Sequence, residues 1–493
     1  MLTTTMGTRR ARPRVTERAP HVCTSRPSPR RLVSRRVCPR AALSLSFSLS
    51  LAACYAAPLS RPVQVLLDAH SVGGESVRVS LAREPDDDAR PEVSLETLLA
   101  QPLDGSRAVR VALLASPEIQ ADLETLGVAR SELLAASLLP NPELDLELRP
   151  GRTTGGDELE AHVIVDLVEI ATMPLRRAAA EARLTSAEVR AADAVLRRTY
   201  EVRVATIRAQ AARARYERLA GIVDTARGAY ETARALGDAG NVPALEVLTQ
   251  RALYEELRLV RAEAETSALE AEEDLVLRLG LHGAAARLHL AALPVEVPDE
   301  VLDEARLEPI AIEQSLALSA VRAALEAIAR DHDVARADGL LPHVHLGLSA
   351  SYAEQTAAFG PALSMTLPLL DQGQGQADSI EAELHVLEQR HAQIAVAVRS
   401  GVRRARNRVL VSRRRLAFLL ETLAPVRAEL VEETLRQYNA MSATPFAVLE
   451  ARRAELGNEL SILDAARDYW LARAALDQIL AGGDAGLSAP GGE

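Results

Sequence analysis

The chain is 493 residues long, which taken alone would suggest three globular units. Hydrophobic residues make up 48% but aromatics only 3%, and all 57 basic residues are arginine, which excludes both an aromatic-rich β-sandwich and wholesale disorder. The net charge of −11 is unevenly spread. The first 53 residues hold eleven arginines and one acid, Glu17, leaving 46 basic and 67 acidic residues from position 54 onward, a net of −21. That balance removes the basic face a nucleic-acid partner would need and suits a conduit for cations.

All three cysteines, Cys23, Cys38 and Cys54, lie in the first 54 residues, so the body has no disulfide framework and no cysteine-based metal site. Arg30, Arg31, Arg35, Arg36 and Arg40 form a charged region ahead of the apolar run Ala41 to Ala53, which ends Leu51-Ala52-Ala53-Cys54. This resembles a bacterial lipobox. The resemblance implies that residues 1–53 are a removed leader and that Cys54 carries acyl chains, each buried CH₂ adding about 0.8 kcal/mol of membrane binding. With Tyr55 rather than an aspartate next, it also implies export to the outer membrane. An ordinary secretory peptide cleaved nearby is the alternative. Residues 54–106, with Glu84-Pro85-Asp86-Asp87-Asp88, read as an extended periplasmic lead-in. Beyond the leader no run of 18 apolar residues occurs, so any membrane crossing must use strands.

Landmarks recur in order further on. Leu138-Leu139-Pro140 returns as Leu340-Leu341-Pro342, Met173-Pro174-Leu175 as Leu367-Pro368-Leu369, and Val247-Leu248 with Arg251 as Val448-Leu449 with Arg452. Spacings this similar imply a duplicated unit of about 200 residues, too long for a solenoid repeat. The first copy spans 107–281 and the second 309–482, joined by 282–308 and followed by a Gly-rich tail, 483–493. Each reads helix, two strands, long helix, turn, long helix.

Strict alternation places strands near 141–149 and 158–170, and again near 343–352 and 359–368. In the first, Leu144, Leu146 and Leu148 oppose Glu143, Asp145, Glu147 and Arg149. Strands of about ten residues with one apolar and one polar face match a membrane barrel. Four strands cannot close one, and lipid tolerates no open edge, so several protomers must share it. A soluble sheet with one solvated face gives the same alternation, and with only Tyr352 and Phe359 nearby the aromatic girdle of a barrel is thin.

Long helices are expected over about 175–235 and 376–437, returning over 245–281 and 447–480. In the helix over 376–437, Ile394, Val398, Ala405, Val409, Leu416, Leu420 and Leu423 mark a coiled-coil seam. Sixty residues at 1.5 Å each span about 90 Å. Pro425 should kink the second rod. Turns at Gly237 to Pro243 and Asn439 to Pro445 reverse the chain.

Across about residues 107 to 482 this organisation resembles the TolC-type outer-membrane efflux channels. The resemblance is carried by Leu139-Pro140-Asn141-Pro142 before the first strand and by Leu367-Pro368-Leu369-Leu370-Asp371-Gln372-Gly373 after the last. Extended to Gly375, the second stretch is similar to the strand-to-helix junction of the metal-efflux and related drug-efflux branches. The resemblance implies a mainly helical protein with membrane strands, in which a homotrimer closes a twelve-stranded β-barrel continued by a twelve-helix periplasmic barrel, and 282–308 forms an equatorial belt. It implies a passive exit duct of a tripartite efflux or type I secretion system for small molecules or metal ions, with outer-membrane lipid, a periplasmic adaptor protein and an inner-membrane transporter as partners. Ala233, Arg234, Leu236, Gly237 and Gly240 match the family's adaptor-docking pattern at the first tip, whereas the second keeps only Arg436 and Tyr438 and lacks the glycine. Family members often gate this end with acidic rings, which makes Asp238 the candidate gate, although an aspartate is also a common turn residue.

Catalysis is not expected. His343 and His345 share a strand face without further ligands, and Gly373-Gln374-Gly375 lacks the setting of a dinucleotide site. No nucleophile, base and orienting acid can be assembled, no cofactor is implied, and nucleic acid is not a partner. The competing functional class is a periplasmic coiled-coil scaffold or lipid-anchored structural protein without a pore.

Overall fold

The computed structural model describes residues 60–69, 95–149, 158–298, 302–340, 344–353, 356–366, 370 and 372–483. The leader with Cys54, the acidic stretch 84–88, His343, residues 367–369, Asp371 and the tail from 484 lie outside them.

The first repeat is preceded by two short helices, α1 (Ser60–Ala69) and α2 (Leu95–Leu99), so this part of the expected extended lead-in is helical. The opening helix of the repeat is two helices, α3 (Gly105–Ala115) and α4 (Pro117–Ser137). Asp104 starts α3 by accepting a hydrogen bond from the Arg107 amide at 2.8 Å, and Pro117, with no amide of its own to satisfy, starts α4. Strands β1 (Glu143–Arg149) and β2 (Glu158–Asp166) follow.

Strand β2 ends at Asp166, short of the expected 170, because the Asp166 carboxylate accepts from the Val168 and Glu169 amides and begins a helix at once. Such a cap contributes about 1 kcal/mol. This helix, α5, runs over Leu167–Asp238, 72 residues or about 108 Å, with Pro174 inside it. It therefore starts before 175, and Leu167 is helical. Its Ala, Arg and Glu content favours the helix, and buried Val195, Val202, Ala205, Ala209 and Leu219 form its core-facing stripe. Helix α6 (Ala244–Leu279) returns alongside.

The second repeat begins at Glu304, inside the expected linker, with α7 (Glu304–Gln314) and α8 (Leu316–Leu340). Strands β3 (Val344–Ala353) and β4 (Thr356–Met365) come next, the latter starting three residues before the expected 359. Its long rod is broken: α9 (Gln374–Phe418) passes through a π turn, Leu419–Leu423, into α10 (Ala424–Asn439). Within the turn the Ala424 amide donates to Leu419 O, five residues back. Pro425 lies just beyond, and the wide turn relieves the clash its ring would make with the carbonyl four residues earlier. Helix α11 (Pro445–Leu480) closes the chain, started by Thr444, whose hydroxyl accepts from the Ala447 amide at 3.3 Å.

The strands form one antiparallel sheet in the order β1-β2-β3-β4, so the two hairpins join through β2 and β3. Helix α5 is the central rod. It packs against α4 and α6 of its own repeat and α8 and α11 of the other, whereas α9 packs against α8 and α11 of its own. One buried cluster joins the lead-in helices, α3, α4 and α5 through Leu103, Val111, Leu123 and Val195. Another joins α9 and α11 through Val402, Val409, Ala465 and Tyr469. Leu103 also bridges to Leu290 of the linker, and Trp470 Nε1 donates to Pro294 O at 2.7 Å, strapping the linker across both repeats.

Helix α6 ends at Gly280, whose φ of +71° is left-handed. A Cβ there would lie 2.6 Å from Pro117 Cδ and 2.7 Å from Ala115 O, at the α3–α4 junction. Gly280→Ala combines a left-handed side chain with a backbone clash, so a loss of about 2 kcal/mol or more is expected, measured as a lower denaturant midpoint of the helical circular dichroism.

Candidate functional site

The sheet register sets a continuous apolar face against a largely polar one. Across the strands, Leu148 aligns with Leu159, Tyr352 and Ala357, Leu146 with Ala161, Ala350 and Phe359, and Leu144 with Val163, Leu348 and Pro361. Val165 aligns with Leu346 and Leu363, and Val344 with Met365. All of these are apolar. From Val344 to Tyr352 the band spans about 26 Å along the strand. Among the described residues no helix covers it, and Leu144 is 63% exposed, Leu348 69% and Phe359 85%. A water-soluble sheet buries such a face, and large contiguous apolar surfaces on monomers mark contacts with protein or membrane.

The opposite face carries Glu143, Asp145, Glu147, Glu158, Glu160 and Asp166 against Arg149, with His162, Ser349, Ser351 and Ser364 among them and Ile164, Ala358 and Ala362 as its apolar members. Arg149 holds Glu147 at 2.9 Å, and His162 approaches Glu160 at 3.8 Å. His345 aligns with Asp166 and Ser364 on this polar face. Among the described residues no group of three or more His, Cys, Asp and Glu could hold a metal ion, and no helix is long and apolar enough to cross a membrane.

At the other end the two helical hairpins turn by one backbone scheme. Gly240 N donates to Gly237 O and Asn241 N to Leu236 O; Met441 N donates to Tyr438 O and Ser442 N to Gln437 O. Each is the paired bond pattern that ends a helix on a left-handed residue. Gly240 takes φ +76° and Met441 φ +61°, so methionine replaces the missing glycine without loss of the turn. Met441 is 96% exposed. Gly237 is required by proximity, since a Cβ would sit 2.8 Å from Val247 Cγ2.

Ala233 is fully buried, while Arg234 and Asp238 are exposed and 4.0 Å apart on the same helix. Arg436 pairs with Glu432 at 2.9 Å and Glu433 at 2.5 Å, beside the half-exposed Tyr438. The two tips meet. Leu236, Val242 and Leu245 of the first and Thr444, Pro445 and Phe446 of the second line a cleft of about 360 Å³. Thr444, Phe446 and Met441 escaped the sequence reading, although the 201-residue spacing to Pro243, Leu245 and Gly240 could have marked them.

A second cavity, of about 270 Å³, lies where the linker crosses α5 and α11, lined by Arg203, Gln210, Pro294, Trp470, Arg473 and Asp477. Burial raises the Asp477 carboxyl above the usual range, against the opposing pull of Arg473, hydrogen-bonded at 2.9 Å, and Arg203.

Residues 308–482, which comprise most of the second repeat, match the family model described as outer membrane efflux protein. Among solved structures, CusC superposes with a TM-score of 0.64 at 16% identity, covering 77% of this chain and 92% of its own. A membrane protein from Pseudomonas aeruginosa gives 0.65 at 18%, covering 82% and 99%. The open state of the Neisseria gonorrhoeae MtrE outer membrane channel gives 0.64 at 16%, covering 76% and 88%. No curated protein matches the chain in sequence. The chain is thus similar in fold to outer-membrane efflux channels along most of its length, in agreement with the resemblance read from its motifs.

Because the folded state holds the Asp477 proton more tightly than the unfolded chain does, stability should fall as pH rises from the ordinary carboxylate range through the raised value. Asp477→Asn should flatten that slope in denaturation midpoints measured between pH 4 and 7.

Proposed function

We propose that the chain is one protomer of a passive outer-membrane exit duct of a tripartite efflux or type I secretion system, passing small molecules or metal ions outward. The observation that carries this reading is the uncovered apolar face of the sheet, backed by an acidic polar face. With four strands per protomer and unpaired edges on β1 and β4, three copies complete a twelve-stranded barrel, its apolar band in lipid and its carboxylates toward the lumen. The long hairpins continue that barrel as a twelve-helix tunnel in the periplasm, with the linker as its equatorial belt. A poreless scaffold would have no use for a lipid-height apolar band.

The helical tips are the docking surface for a periplasmic adaptor protein, which couples the duct to an energised inner-membrane transporter. The exposed Arg234, Arg436 and Tyr438 and the cleft between the tips support this assignment. Cys54 supplies the lipid anchor, and Asp238, repeated by trimer symmetry, attracts cations at the periplasmic mouth.

Single-channel conductance of the purified protein in planar bilayers tests the duct. Leu146→Arg places a charge in the apolar band at a cost of about 2–4 kcal/mol per protomer, so outer-membrane insertion and conductance should be lost; full conductance would sink the reading. Asp238→Asn should lower cation selectivity in the same bilayers, and unchanged selectivity would reject the gate.

A further inference from the structure

The two repeats match more closely in space than in sequence, and one of them is incompletely packed. Arg203, Arg208, Arg213 and Arg215 on α5 recur 200 residues later as Arg403, Arg408, Arg413 and Arg415 on α9. On the return helices Glu263, Ala264, Ala268 and Leu275 of α6 recur 201 residues later as Asp464, Ala465, Tyr469 and Leu476 of α11. The extra residue of the π turn accounts for the change of spacing. Helix α5 is flanked on both sides, by α6 of its own repeat and by α11 of the other, and that second contact is bridged by Arg215 to Asp464 at 2.8 Å. Among the described residues, helix α9 has α11 of its own repeat but no comparable packing against α6, the return helix of the other.

Helix α9 and the outer helix at the opposite edge carry opposite net charge, with Arg403 and Arg406 of α9 turned to Glu308 and Glu304 of α7. From 389 to 418, α9 contains nine arginines and no acid. Helix α6 contains nine acids, among them exposed Glu256, Glu263, Glu265, Glu270 and Glu273, against four arginines. Exposed apolar residues accompany both: Val396, Val411 and Phe418 on α9, and Leu259 and Leu269 on α6. An arginine-rich edge and an acidic edge on one chain fit a second copy of that chain in head-to-tail order, which closes a ring when the rotation allows.

We infer that α6 of one protomer packs on α9 of the next, with Glu263 of the first paired to Arg415 of the second, repeating across the subunit boundary the Arg215–Asp464 bridge seen within the chain. Arg415 is more than half exposed and reaches Asp468 of its own α11 at 3.4 Å, so it can share its guanidinium between the two carboxylates. The inference deepens the trimeric duct by naming the residues that select its helical seam, and it rests on that reading.

The test uses the full-length protein in detergent. A chain carrying both Glu263→Cys and Arg415→Cys, treated with a short bis-maleimide, should give covalent dimers and closed trimers on denaturing gels. Either single-cysteine variant should stay monomeric, because the contact is not two-fold. Glu263→Arg or Arg415→Glu alone should raise the concentration at which trimers dissociate by about tenfold, and the two together should restore it. Cross-linking of the Glu263→Cys variant to itself, or trimers that conduct normally yet neither cross-link nor respond to charge reversal, would overturn the seam while leaving the duct intact. A monomer without conductance would remove the duct, and the seam with it.

Discussion

An antiparallel sheet with one wholly apolar face and two unpaired edges cannot stand by itself in water or in lipid. Its face needs an apolar partner, and wherever water is excluded each unpaired N–H or C=O at the edges of β1 and β4 costs several kcal/mol. The remainder of the fold is organised by that constraint. Helices leave the sheet directly, through the Asp166 cap on one side, and run away from it for the length of α5 rather than folding back to cover it. Among the described residues the helical wall ends as the sheet does, with an open flank at each edge.

Duplication explains both the economy and the asymmetry of the molecule. Two copies of one supersecondary unit join through β2–β3 and through α5 with α8 and α11. Two local features set the second copy apart from the first. It holds Pro425 behind a π turn where the first has an unbroken rod, and it places Met441 in a left-handed position at a cost of about 1 kcal/mol. The turn scheme survives at both tips, which keeps the two hairpin ends side by side around their shared cleft.

Net charge proves a coarse guide to what such a wall offers a solute. The body is strongly acidic, and the polar sheet face agrees with it, yet nine arginines gather on one stretch of α9, where Arg403, Arg406 and Arg415 are met by Glu308, Glu304 and Asp468. The acids that dominate the total lie largely on other helices, α6 above all. Electrostatic character is therefore layered along and around the protomer.

The sequence alone determined the repeat, the alternation and the long apolar seams, because these depend on residue period and on local backbone chemistry. Leu144, Leu146 and Leu148 can occupy only one side of a strand, and sixty residues of Ala, Arg and Glu without glycine favour a rod. It could not place the boundary at Asp166, since a cap competes with strand extension only once the helix has something to pack against. It could not tell a lipid-facing sheet from a soluble one, because both alternate alike. What the tertiary structure adds is an apolar face that no described helix covers, with Leu348 and Phe359 exposed on it. The partnership of β2 with β3 and the vacancy beside α9 were equally invisible in the sequence, because contacts between residues some 200 positions apart are set by how whole elements pack and not by their local pattern.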